Sequence, residues 1–410
     1  MKFAKLLSIM LLGIMLVSSV SFGQSIPSGT ARYEALGYNP FIKDASIDIN
    51  RNPSWSTVYR NYAFGDIGRD AVGNDQYQLT EQWAGINFGV SKDVSLGLVL
   101  NKFEDNWTDF TNYGNNVYGV NRPVVPLKVL FGWQMSPKFA LGVAPYYAGW
   151  SNEFDSTGQN HKWSSMSLGG TVGVLGKLEG GWIEGAVDLK INKYKYERTI
   201  VATNNIDENE GGMQMNVFTR AFFTVNKNLG VNLVPYLGFG MYSWNPTSTP
   251  LVAGGYSKFS HLNFMGGLGL NMPVLDNGLL AGGLSVGYHQ VENKYDATSY
   301  TYTYSEFVLP QFNLGIEWPF TDWLTGRAGY SRSVISSKSN VESAGNTYYW
   351  KSTGVSDSKQ TITVGFGLDF NRFNLSGTVG EKLFKDGFYI MTGKTNEMFG
   401  VLSASYYFGK

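Results

Sequence analysis

The sequence contains no cysteine. That absence excludes a disulfide framework, a thiolate zinc site and a cysteine nucleophile, and it leaves nothing to carry a lipoprotein anchor. Charge is scarce as well: Asp, Glu, Lys and Arg make up 16% of the 410 residues, against a usual ~25%. The two signs cancel, 32 against 32, so there is no basic excess with which a nucleic-acid binder displaces counterions. No nucleic-acid partner is expected. Histidine occurs at positions 161, 261 and 289 only, without metal-ligand spacing and without an H-E-x-x-H string. Neither a metal nor a cofactor is expected. Beyond residue 23 no run approaches the ~18 apolar residues of a transmembrane helix.

Aromatic residues and glycine fill the space left by charge, with 26 Phe, 25 Tyr, 11 Trp and 50 Gly. Residues 1–23 carry Lys2 and Lys5, then an apolar run from Leu6 to Val17, then Ser21 and Gly23 before Gln24. This is the three-part pattern of a cleavable secretory signal. Cleavage near Gly23–Gln24 and export to the outer membrane of a Gram-negative cell are expected.

The remaining chain alternates with a period of two. In 182–192, Ile183, Val187, Leu189 and Ile191 oppose Glu184, Asp188, Lys190 and Asn192. In 361–370, Ile362, Val364, Phe366, Leu368 and Phe370 oppose Thr361, Thr363, Gly365, Gly367 and Asp369. Such alternation puts successive side chains on opposite faces of a strand. Short connections, such as 91–93, 136–138, 179–181 and 371–372, alternate with longer polar stretches at 107–121, 151–162, 199–212, 245–257, 293–303, 337–357 and 384–396. Short turns on one side and long ones on the other mark a transmembrane antiparallel up-and-down β-barrel. The pattern predicts an all-β fold of about 16 strands with 14 as the alternative, the wall running over 57–410 with its first strand at 57–66. Outer-membrane lipid and the barrel-assembly machinery are its expected partners. Trp133, Trp182, Trp318 and Trp323 flank short turns, and Trp107, Trp150, Trp163 and Trp244 flank long ones, as interface belts would require.

With the apolar parity facing lipid, the other parity lines the lumen. It carries Lys128, Glu184, Asp188, Lys190, Arg220, Glu317, Arg327 and Asp369, four of each sign. A balanced lining predicts internal ion pairs rather than a one-signed selectivity filter. Gly267, Gly269, Gly365 and Gly367 fall on the same side, where missing side chains let other atoms come close. No catalytic residue is assigned: His161 is read in a long loop and His289, near Ser285, as structural, while the acidic stretch 204–210 reads as an outer loop.

Residues 24–56 fit no membrane strand, having three prolines, several charges and no alternation. They are expected to form an N-terminal plug or a periplasmic segment. Gly29-Thr30-Ala31-Arg32, Ala35-Leu36-Gly37, Asp44-Ala45 and Asn52-Pro53-Ser54 resemble, in that order, the stretch before the first strand of FadL-like outer-membrane barrels. That group includes long-chain fatty acid transporters and PorV/PorQ-type barrels. Tyr38 and Ser54 depart from its usual Gly and Ala. The resemblance implies a hatch inside the barrel, with Arg32, Gly37, Asp44, Asn52 and Pro53 as its motif residues. It also implies passive transport of small or hydrophobic solutes. The alternatives are a non-transporting scaffold that holds a secreted or surface protein, as in PorV-type members, or a general porin. Pro145, Pro235 and Pro310 are candidate kinks in the wall.

Overall fold

The computed structural model describes residues 29–67, 83–100, 124–157, 159–200, 203–249, 258–274, 278–295, 300–343, 346–355, 361–379 and 399–408. The signal segment, Trp107 and the stretches 107–121 and 384–396 lie outside the described residues. The strands are β1 (Tyr62–Ile67), β2 (Trp83–Gly89), β3 (Val94–Leu100), β4 (Val124–Ser136), β5 (Phe139–Ser156), β6 (Gln159–Leu178), β7 (Gly181–Ile200), β8 (Thr203–Asn226) and β9 (Val231–Trp244). They continue with β10 (Pro246–Thr249), β11 (Lys258–Val274), β12 (Gly278–Tyr295), β13 (Tyr300–Pro319), β14 (Leu324–Ser343), β15 (Asn346–Val355), β16 (Thr361–Phe370), β17 (Phe373–Val379) and β18 (Phe399–Tyr407).

Sixteen of these form one closed antiparallel ring. Each pairs with the next in sequence, except that β9 is followed by β11 and β14 by β16. β1 closes the ring by bonding both β2 and β18, with Tyr62 opposite Tyr407 and Ile67 opposite Leu402. The remaining two are annexes: β10 lies along residues 206–209 of β8, and β15 along Val334–Ser343 of β14. Among the described residues closure leaves each of the sixteen ring strands a neighbour on both sides, which hydrocarbon demands because it offers backbone groups no partner. Among the described residues no helix is long and apolar enough to cross a membrane.

The two parities separate as the alternation predicts. On β7, Ile183, Val187, Leu189 and Ile191 are exposed on the outer face, while Glu184, Asp188, Lys190 and Asn192 are buried inside. Apolar exposure of this kind continues around the ring at Phe131, Val172, Leu237, Leu268, Leu284, Leu314 and Ile362. An apolar outer surface around a closed barrel is the form of an outer-membrane β-barrel.

Three features depart from the sequence expectations. The stretches 151–162, 199–212, 293–303 and 337–357 are largely strand, because β5 runs to Ser156, β7 to Ile200 and β14 to Ser343. At the far end of β5 both faces meet water, so alternation disappears while the hydrogen-bond ladder continues. The acidic stretch 204–210 therefore falls within β8, and His161 within β6. Second, β1 begins at Tyr62 and not at 57. Third, among the described residues of the assigned belt only Trp133, Trp318 and Trp323 are exposed large apolar residues. Trp182 turns inward onto Trp55, 5.6 Å between ring centroids, and Trp244 is buried among Tyr194, Tyr196 and Tyr242, with Trp163 packed against them. These three share the parity of buried polar neighbours, so position along the strand misled where parity would not have.

Candidate functional site

Residues 29–58 occupy the interior at the short-turn end of the barrel. They form α1 (Thr30–Ala35), α2 (Ala45–Arg51) and a 3-10 turn, Pro53–Thr57. Asp44 starts α2: its side chain accepts from Ile47 N at 3.3 Å and from the Ser46 hydroxyl at 2.9 Å, as an N-cap should. Pro53 ends it, since proline disfavours helical geometry in the residue before it, and Asn52 is extended at φ −139°, ψ 102°. Asn52 then caps the 3-10 turn, its Oδ1 accepting from Ser54 N at 3.1 Å and Ser54 Oγ at 2.6 Å. Gly37, at φ 74°, and Tyr38, at φ 52°, turn the chain out of α1 through left-handed geometry. The second glycine of the family pattern would sit at Tyr38, where this chain places a tyrosine edge-on to Tyr33 at 5.8 Å.

Two buried ion clusters tie this segment to different parts of the wall. In the first, Glu317 on β13 accepts from Arg32 (Nε 3.0 Å, Nη2 2.5 Å) and from Arg327 Nε on β14 at 2.7 Å. Arg32 also reaches Asp44 at 3.3 Å and the Lys43 carbonyl at 2.6 Å. In the second, Arg220 on β8 bridges Asp48 at 2.6 Å and Glu184 on β7 at 2.6 Å, and donates to the Ile42 carbonyl at 2.5 Å. Glu184 also accepts from Trp55 Nε1 at 2.6 Å and from Asn52 Nδ2 at 3.3 Å.

Backbone groups of the segment are met by lumen side chains from all round the ring. Asn271 donates to Phe41 O, Asn313 to Gly37 O, Thr363 to Ala35 O, Asn87 to Ser56 O and Lys128 to Asn50 O, at 2.7–3.2 Å. Irregular backbone at membrane depth persists only when protein satisfies it in this way. Glycines provide the room. A side chain at Gly142 would collide with Pro53 and Ser54, at Gly173 with Asn52, at Gly269 with Phe41 and at Gly329 with Leu36 and Gly37; one at Gly365 would lie 2.6 Å from the Ala35 methyl.

Of the eight lumen charges, five touch the segment or the charges that hold it: Lys128, Glu184, Arg220, Glu317 and Arg327. Asp188 lines a cavity together with Asn50 and Arg51 of the segment. Lys190 pairs with Asp188 at 2.7 Å. Asp369 is half-buried beside the short turn at 371–372 and enters neither cluster. Its strand position gives it the lumen parity, but it lies too near the rim to reach the segment. Lys43, absent from the sequence assignment, sits over the rings of Phe222 at 4.7 Å and Trp182 at 5.6 Å. Burial pushes its ammonium down to about 8, partly opposed by Asp48.

Toward the long hairpins, the inner wall carries the cluster Tyr194, Tyr196, Tyr242 and Trp244. His161 stacks on Trp163 at 5.5 Å and bonds the Tyr196 hydroxyl at 3.0 Å. His289 is not solitary, since its Nδ1 lies 2.8 Å from His261 Nε2. Strand register brings the two together from adjacent β11 and β12, a relation that spacing along the chain does not reveal. Among the described residues no group of three or more His, Asp or Glu is placed to hold a metal ion. Of the three candidate kinks, Pro310 alone coincides with interruptions in both flanking ladders, between Val308 and Gln311 and between Ser285 and Gly287. Below the aromatic cluster a cavity of about 160 Å³ lies between α2 and the wall.

The site is therefore the occupied lumen of an outer-membrane β-barrel. No family model matches the sequence, and no curated protein matches it. Solved structures with a similar course include a Pseudomonas aeruginosa FadL homologue, at 12% identity over 96% of this chain and 100% of that one, TM-score 0.42. The Pseudomonas putida toluene transporter TodX is similar at 11% identity over 96% and 100%, TM-score 0.40. The alcaligin receptor FauA of Bordetella pertussis is similar at 8% identity over 84% and 75%, TM-score 0.36. Such distant likeness attaches none of these activities to this chain.

Proposed function

We propose that the protein is a passive passage for small or hydrophobic solutes across the outer membrane, with residues 29–58 as its plug. The observation that carries this reading is the way lumen side chains from opposite walls grip the segment's backbone while wall glycines make room for it. A wall shaped around an internal element gives the lumen a purpose beyond bracing. The aromatic inner face above it offers apolar and stacking contacts to a solute arriving from outside. An open general porin fits poorly, because Trp55, Phe41, Leu36 and Ile42 fill the interior with fully buried side chains.

The second reading, a shut scaffold that binds a secreted or surface partner, draws support from the same two ion clusters. Breaking either would leave buried charge unpaired, which holds the segment in place. The lack of cysteine makes a decisive experiment clean. Ser56 and Ser95, whose hydroxyls are 2.8 Å apart, join segment to wall. Oxidising a Ser56→Cys/Ser95→Cys protein locks the plug, and reductant frees it. Solute uptake into proteoliposomes is expected to fall on oxidation and return on reduction, and deletion of 24–56 is expected to raise conductance. Zero flux in wild type, reduced and deleted forms alike would discard the passage and leave the scaffold.

A further inference from the structure

The cavity beside α2 has a composition that bracing alone does not explain. Its lining includes Arg51, Lys128 and Asp188. Asp188 is already fully engaged, accepting from Lys190 at 2.7 Å, Thr171 at 2.8 Å and Asn216 at 3.4 Å. Asp48, one turn back on α2, is committed to Arg220 at 2.6 Å. The lining thus carries two cations, Arg51 and Lys128, against one carboxylate.

Arg51 lies over the Phe218 ring, its Cζ 4.4 Å from the centroid, a cation–π contact that helps hold the side chain beside the cavity. Its Nη1 is buried and has no hydrogen-bond partner within the protein, and neither has the Oδ1 of the adjacent Asn50, another lining residue. A buried guanidinium N–H left unmet costs free energy that an incoming anion would recover. A donor and an acceptor both lacking partners in one pocket describe a ligand that offers the converse pair. The volume, about 160 Å³, lies below the ~300–1,000 Å³ of drug-sized sites, so it suits a compact group and not a long chain.

We propose that this cavity is a binding site for a compact oxyanion that also carries a hydroxyl, such as a hydroxy acid or a hydrogen phosphate group. Arg51 and Lys128 would receive the anionic oxygens and Asn50 Oδ1 the hydroxyl proton. Asp188 stands four residues further than Glu184 from the short turn of β7, which places the site on the long-hairpin side of the second ion cluster. A solute entering from outside would meet it at the outward side of the plug, between α2 and the wall. As the site of an entering solute it rests on the passage reading; as a binding site it rests on the cavity alone.

The test is isothermal titration of the full mature protein in detergent, at constant ionic strength, with glycolate, inorganic phosphate and acetate as probes. Glycolate and phosphate are expected to bind, and Arg51→Gln is expected to weaken both roughly tenfold to hundredfold, the loss of one charge-assisted hydrogen bond. Ala186→Leu, which fills the cavity without altering charge, is expected to abolish binding, while the exposed Lys92→Gln leaves it unchanged. Heat-modifiable mobility on gels reports that each variant is folded. Acetate, which lacks the hydroxyl, is expected to bind more weakly than glycolate, and equal binding would remove Asn50 from the site. No binding of glycolate or phosphate, or binding unchanged in folded Arg51→Gln and Ala186→Leu, would overturn the proposal. Binding retained in a barrel that passes no solute would instead overturn the passage and spare the site.

Discussion

Glu317 shows how much one side chain can hold. It takes three hydrogen bonds from two arginines, one on the segment and one on the wall. Glu317→Gln would leave Arg32 and Arg327 facing each other in the interior. The expected loss is ~3–5 kcal/mol, the cost of breaking a buried pair from one side, read as a lower temperature for loss of the compact form on gels. Lys43 adds a pH dependence with a definite sign. Its folded value of about 8 lies below the ~10.4 of an unfolded lysine, so the unfolded chain binds more protons between those values. Stability contributed here is therefore gained as pH rises from about 8 toward 10.4. With melting compared at pH ~7.5 and ~9.5, Lys43→Met is expected to remove that increment.

Single strands show the parity rule at work. Leu189 and Lys190 are neighbours on β7, yet the leucine is exposed on the outside and the lysine is buried within. Leu189→Arg is expected to destabilise the barrel by ~2–4 kcal/mol if the residue lies near the bilayer midplane, measured by denaturant unfolding in lipid vesicles. The paired control, Lys195→Gln on the water-exposed end of the same strand, should be near neutral, because exposed pairs such as Lys195–Glu197 contribute little. Where both faces of a strand meet water, as at the far end of β5, the alternation fades and sequence reading stops short of the true end. The α2 helix carries a signal of another kind, one that alternation does not show. Asp44 before α2 and Asn52-Pro53 after it are ordinary cap and stop residues.

At the scale of the molecule, a ring of 16 strands encloses an element that precedes it in the chain. The oxidised lock between positions 56 and 95 asks whether that element moves, and titration at Arg51 asks what approaches it. Sequence alone determined the barrel, because lipid outside and a polar interior impose a period of two on every wall strand, and it left 16 strands or 14; closure of the ring decided for 16. Sequence also determined which charges face inward, since parity fixes the side on which a residue stands. Only the tertiary structure decided which of those charges meet: Arg32 with Glu317 and Arg220 with Asp48 are brought together across 285 and 172 positions by closure of the ring. The pairing of His261 with His289, the inward turn of Trp182 and the cavity at Arg51 have the same origin. Each depends on register between strands and on what lies opposite across the lumen, and neither is written in local order along the chain.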